Sequence, residues 1–152
     1  MLCSLVVILG CRNARPFGFA HAHPHSLHGA PHGFLSATRV AQQVEHGKRI
    51  YGKYCADCHG DAGQGNDMAP AVVGEGAFPL QPRRGSKRTV MFRTAMDIAS
   101  FVTQAMPPDE EARAELRQQD YWAVLAFALK ANGIELSEPV GPDNAAQIVL
   151  HP

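Results

Sequence analysis

The chain has 152 residues, with 14 basic and 14 acidic side chains, a formal net charge of zero, 14 glycines, 11 prolines and 4 cysteines. That length suits one domain with appendages rather than two full domains. The charge balance excludes the basic footprint of a nucleic-acid binder, and no apolar stretch reaches the roughly 20 residues that a membrane-spanning helix needs.

Leu2 to Leu9 is an apolar run followed by Gly10, Cys11 and Arg12. It is too short to span a membrane and lies where the apolar part of an export signal lies. Ile8-Leu9-Gly10-Cys11 resembles a bacterial lipobox. That resemblance implies lipidation at Cys11 and membrane association of the exported protein; cleavage with soluble release into the periplasm is the alternative. A single acyl chain binds membranes only marginally, so a stable anchor needs more than one.

Residues 12–38 lack periodicity and read as a flexible tether rich in His, Pro and Gly. His21, His23, His25, His28 and His32 crowd into twelve of its residues. Neutral imidazoles would bind copper, nickel or zinc loosely. No cysteine or carboxylate is interleaved to close a defined site, and a biased spacer explains the run as well.

From Arg39 to Tyr54, Val40, Val44, Gly47, Tyr51 and Tyr54 recur at helical spacing. If the helix runs on, Cys55, Cys58 and His59 share one face. C-x-x-C-H is the spacing of covalent haem attachment. Each thiol adds to a haem vinyl group to form a thioether, and the adjacent imidazole supplies an axial ligand. Structural zinc would need two more ligands, and the spare cysteines, Cys3 and Cys11, lie in the export segment. A thioredoxin-like dithiol would need a βαβ setting, which the helical, glycine-rich flanks do not offer. After His59, Gly60, Gly63 and Gly65 allow tight turns.

Gly47 to Tyr51 together with Cys55-Ala56-Asp57-Cys58-His59-Gly60 and the glycines beyond resemble the N-terminal part of bacterial class I monohaem cytochromes c. The likeness runs from about residue 39 to about residue 134. It implies an all-α cytochrome c fold, with three main helices and loops wrapped around one covalently attached haem c. It also implies that the Pro70 carbonyl accepts the Nδ1–H of His59, and that the last helix crosses the first near Gly47.

Gln81 to Arg88 is a basic cluster. Arg83, Arg84 and Arg93 are the residues expected to reach a haem propionate, and a solvated loop or a docking patch explains the cluster equally. Thr94 and Asp97 mark a helix start, with Ile98, Phe101, Val102 and Ala105 at helical spacing. Pro107 and Pro108 end that helix and push Met106 towards an extended conformation. Met106-Pro107-Pro108 matches the distal-ligand segment of the family resembled, which makes Met106 the expected second axial ligand. Met68, Met91, Met96 and His46 are the competitors. Asp120 to Gly133 is the strongest helical segment, with Leu116, Tyr121, Val124, Leu125, Ala128 and Leu129 on one stripe. Residues 137–152 read as a tail laid on the domain or left loose.

The expected layout is an export segment (1–11), a tether (12–38), a cytochrome c domain (39–136) and a tail (137–152). The expected function is one-electron transfer between redox protein partners in the cell envelope, without catalysis. Two other classes stand beside it: a haem enzyme or gas sensor with a labile distal site, and a non-haem metal carrier built on the tether.

Overall fold

Apolar residues three and four apart dictate the first element. Helix α1 spans His32–Tyr54 and buries Val40 and Tyr51 on one face. This computed structural model describes residues 32–86 and 88–151. The export segment with Cys11, and most of the histidine-rich stretch, lie outside the described residues. Helix α1 begins inside the stretch read as a tether ending at residue 38. Contact with the far end of the chain already fixes it there: the Ser36 hydroxyl donates to the Ser137 carbonyl at 2.6 Å.

The helical path is offset at Cys55 (φ −124°) and resumes as the single turn α2, Ala56–His59. A glycine-rich loop follows. Helix α3, Ala95–Ala105, starts at Thr94, where Asp97 Oδ2 accepts the Thr94 N–H at 2.8 Å and the Arg93 N–H at 3.0 Å. Helix α3 ends at Met106, which is extended (φ −128°, ψ 141°) as the following proline requires. Helix α4, Glu110–Glu115, is capped by Asp109, which accepts the Ala112 N–H at 2.8 Å. Helix α4 is tied to α1 by Tyr54, whose hydroxyl donates to Glu115 at 2.6 Å.

Helix α5, Gln118–Ala131, starts at Arg117. Arginine has no acceptor with which to cap a helix; Asp120 supplies the stabilising bond, accepting the Arg117 N–H at 2.9 Å. At the other end Gly133 takes φ +80°, Gly133 N–H bonds to Lys130 O and Ile134 N–H to Leu129 O. This is a Schellman close, which satisfies carbonyls that a helix end leaves free. Among the described residues there is no strand, only an isolated bridge between Thr94 and Val149.

The core is built by α3 and α5: Phe92, Ala95, Ile98, Ala99, Leu125, Ala126 and Leu129 pack together with Val140 and Ala145 of the tail. Helix α1 crosses α5 where Gly47 meets Ala123. The tail is fastened at several points. Gln43 exchanges two hydrogen bonds of 2.8 Å with the backbone of Val140. The Ala95 and Met96 amides, which start α3 and have no partner within it, bond to the carbonyls of Ile148 and Ala145. No helix among the described residues is long and apolar enough to cross a membrane.

Candidate haem-binding site

Helices α1, α2, α3 and α5 surround a cavity with about 640 Å³ of empty space, partly open to solvent. Its walls are mostly apolar: Ile50, Val72, Phe78, Ile98, Val102 and Val124 are among them. Three groups of ligand chemistry share this lining: Cys55, His59 and Met106.

The imidazole of His59 is oriented by the loop behind it. Its Nδ1 lies 2.7 Å from the Pro70 carbonyl oxygen. A carbonyl only accepts, so Nδ1 carries the proton and Nε2 keeps its lone pair. The loop reaches this position through its glycines. Gly65 has φ +81°, and a Cβ there would lie 2.5 Å from the Ala71 nitrogen and 2.9 Å from the Pro70 carbonyl carbon. The Tyr51 hydroxyl donates to the Gly60 carbonyl at 2.7 Å and ties the loop to α1. Burial, with a smaller contribution from Cys55 and Asp61, pushes Tyr51 up to about 12, so it remains a donor. Asn132, at the end of α5, holds the loop from the other side: it accepts the Gly74 N–H and donates to the Val72 carbonyl, both at 2.9 Å.

Cys55 and Cys58 are free thiols on adjacent turns. Burial, and then the neighbouring Cys58, push the Cys55 thiol up to about 11. A reactive dithiol or a thiolate metal site needs the opposite shift. Among the described residues no three His, Cys, Asp or Glu side chains are grouped to hold a metal ion.

Met106 lines the cavity, and its backbone carbonyl accepts a hydrogen bond of 3.0 Å from the Tyr121 hydroxyl. Arg113 donates to the carbonyl of the next residue, Pro107, at 2.7 Å. The other methionines are placed elsewhere. Met68 is 69% exposed, and Met91 stands at the surface beside Gln81 and Arg93. Met96 packs against the α3–α5 core. His46 is engaged with Asp120 at 2.7 Å. The residues present therefore fit a haem: an apolar cavity, a half-buried protonated thiol with a second thiol one turn on, an imidazole with a free Nε2, and a thioether.

Two of the three arginines expected near a propionate have other partners. Arg83 donates to the Gly76 carbonyl at 2.8 Å, Arg93 lies 3.8 Å from the Met91 sulfur, and Arg84 is exposed at a turn. The buried cation of this region is Arg88, 6% exposed. Its guanidinium donates to the carbonyls of Pro79, Leu80, Gln81 and Val90 and lies 3.9 Å from the centre of the Phe92 ring. Burial, and then Arg83, lower its pKa. Arg88 thus folds the loop that leads to the cavity at Phe78. Phe78 itself takes φ +47°, a conformation that disfavours a bulky side chain. His151 of the tail donates to its carbonyl at 2.8 Å.

Sequence reasoning missed one member of the site, Asp120, and one residue that folds the loop leading to it, Arg88. Asp120 is buried in the cavity wall, and nothing in its helical spacing distinguished it from a solvated residue at a helix start. Arg88 closes a basic run whose composition signals exposure, so no local pattern marks it as the buried one.

The helical fold and the Cys55-x-x-Cys58-His59 site together define a class I c-type cytochrome domain. The model of the family described as cytochrome c oxidase, cbb3-type, subunit III matches residues 42–127, and the chain belongs to that family. Its cofactor is accordingly covalently bound haem c, and its chemistry is haem-based electron transfer. Among solved structures, the chain is similar to the sulfane dehydrogenase SoxCD from Paracoccus pantotrophus, at 28% identity and a TM-score of 0.52, over 70% of this chain. The match spans about half of that chain, 52%. A comparison with curated proteins gives no match.

Proposed function

We propose that Cys55 and Cys58 carry the haem through thioethers, that His59 and Met106 are its axial ligands, and that the protein passes single electrons between redox partners in the bacterial cell envelope. The observation that carries this reading is the hydrogen bond from His59 Nδ1 to the Pro70 carbonyl, on a ring that shares its cavity with Met106. The bond fixes the tautomer and makes Nε2 a stronger donor. The haem, when bound, supplies a one-electron couple whose potential a thioether ligand raises relative to a second imidazole.

The remaining work belongs to the chain. Tyr121 and Arg113 hold the segment that presents Met106. Ile98, Val102, Val124 and Leu125 give the cavity an apolar wall. Two protein ligands leave no open position for substrate, so a carrier rather than a catalyst is the reading. Likeness to a dehydrogenase chain supports service as a subunit or partner of an oxidoreductase. The export segment and Cys11 support a periplasmic location, either released or held by a lipid anchor. Arg83, Arg84 and Arg93 remain proposed propionate contacts; Arg83 and Arg93 would first have to leave their present partners.

The test is a visible spectrum and redox titration of protein matured in a host competent for haem c attachment. A haemochrome spectrum and a sulfur-to-iron near-infrared band in the ferric form are expected. Met106→Ala should lose the band and lower the potential. A five-coordinate wild-type form that binds CO readily would overturn the carrier reading.

A further inference from the structure

The apolar cavity has one carboxylate among its described lining residues, Asp120. Its side chain is only 4% exposed. Asp120 Oδ2 accepts from the Arg117 backbone at 2.9 Å and from Arg117 Nε at 3.2 Å, and Oδ1 lies 2.7 Å from His46 Nε2 on α1. The other nitrogen of His46, Nδ1, lies 3.4 Å from Arg49 Nη2. A guanidinium only donates, so Nδ1 is the acceptor there and Nε2–H donates to Asp120. His46 is therefore neutral in this arrangement and has one nitrogen able to take a proton. Its side chain is 33% exposed, which gives that nitrogen access to water. The charged groups around it are Asp120 and Arg117 from α5 and Arg49 from its own helix, with Glu45 3.7 Å from Arg49.

We propose that the His46–Asp120 pair couples electron transfer to protonation, so that His46 takes up a proton from solvent as the haem site accepts an electron and releases it on oxidation. The inference rests on haem occupying this cavity. The electron comes from a one-electron donor protein and the proton from water. An N–H bond forms at His46 Nδ1, and the exposed Arg49 swings away. Adding an electron removes positive charge facing a buried carboxylate in a low-dielectric wall. A proton on the imidazole that contacts that carboxylate restores the balance. Such coupling is reciprocal: if reduction raises the proton affinity of His46, protonation raises the potential by the same free energy.

Redox titration of the haem-loaded protein at a series of pH values tests this. The potential should fall as pH rises through about 5 to 8, where histidines change charge. A coupling of about tenfold in proton affinity corresponds to a total fall of about 59 mV for a one-electron couple. His46→Gln should flatten the profile while keeping the haemochrome spectrum and the sulfur-to-iron band. Asp120→Asn should raise the potential at neutral pH and weaken the slope. Should that variant fail to fold, proton NMR of His46 in the wild type gives the second reading, with a higher midpoint in the ferrous than in the ferric form. An equal slope in His46→Gln with intact spectra, a flat wild-type profile, or equal NMR midpoints would overturn the coupling alone. A protein without a haemochrome spectrum would overturn the haem reading beneath it.

Discussion

The backbones of Gly47 and Ala123 touch: a Cβ built on Gly47 would lie 1.8 Å from the Ala123 carbonyl oxygen. Side-chain movement cannot relieve that clash, because the obstacle is α5 itself. Gly47→Ala should therefore destabilise the protein by about 3 kcal/mol or more, at or beyond the upper end of ordinary overpacking. Gly52 lies in the same helix with nothing within 4 Å of its missing Cβ. Gly52→Ala should stabilise by about 0.5–1 kcal/mol. Urea melts of the two variants should move in opposite directions, and equal shifts would refute the crossing geometry.

Tyr121→Phe deletes the hydroxyl that holds the Met106 carbonyl. Burial, the largest influence on it, raises the Tyr121 pKa, so the hydroxyl is a donor at neutral pH. Removing it should cost about 1 kcal/mol. The sulfur-to-iron band should weaken at a lower temperature than in the wild type, whereas absorption from the attached haem persists. A band of unchanged thermal stability would show that Met106 is placed by its neighbours alone.

Arg88→Met keeps the stem and removes the guanidinium that four carbonyls share. The Pro79, Gln81 and Val90 carbonyls then lose this donor, and Leu80 keeps only the Phe92 N–H. A loss of about 2–4 kcal/mol is expected, read by denaturant unfolding. Arg88→Lys should recover only part, because an ammonium has three donors and no planar fork. Full recovery with lysine would mean that charge, not the shared fork, holds the loop.

Acid should loosen the start of two helices. Burial alone would raise Asp97 and Asp120, but hydrogen bonds from Thr94 and Arg93, and from Arg117 and His46, outweigh it and hold both down, Asp120 to about 2. A carboxyl depressed in the folded state adds stability above its unfolded pKa and loses it as pH falls through the folded one. For Asp120, ordinarily at 3.8, that contribution is on the order of 2 kcal/mol at neutral pH and disappears as pH falls from about 4 to about 2. Chemical melts at pH 7 and pH 3 should show the difference narrow in Asp120→Asn. An identical acid dependence in the variant would place the sensitivity elsewhere.

What the sequence displayed was local. Val40, Val44 and Tyr51 announced α1 by their spacing, Thr94 and Asp97 announced the start of α3, and Pro107 announced where Met106 leaves it. Each of these rests on neighbours within a turn or two. The start of α5 at Arg117 was not visible because the stabilising acceptor, Asp120, works from inside the helix. Arg88, Asp120 and His46 owe their roles to partners brought from other segments; Asp120 and His46 are 74 positions apart. Residues 140–151 were equally opaque. Their carbonyls matter because α3 has amides to satisfy, and composition does not register that need.

That last attachment sets an order of events during synthesis. The attachment motif at residues 55–59 leaves the ribosome well before Ala145 and Ile148, whose carbonyls close the start of α3. Helix α3 in turn delivers Met106. Until residues 140–151 dock, the start of α3 stays open, so this tail is the last latch on the wall that carries Met106.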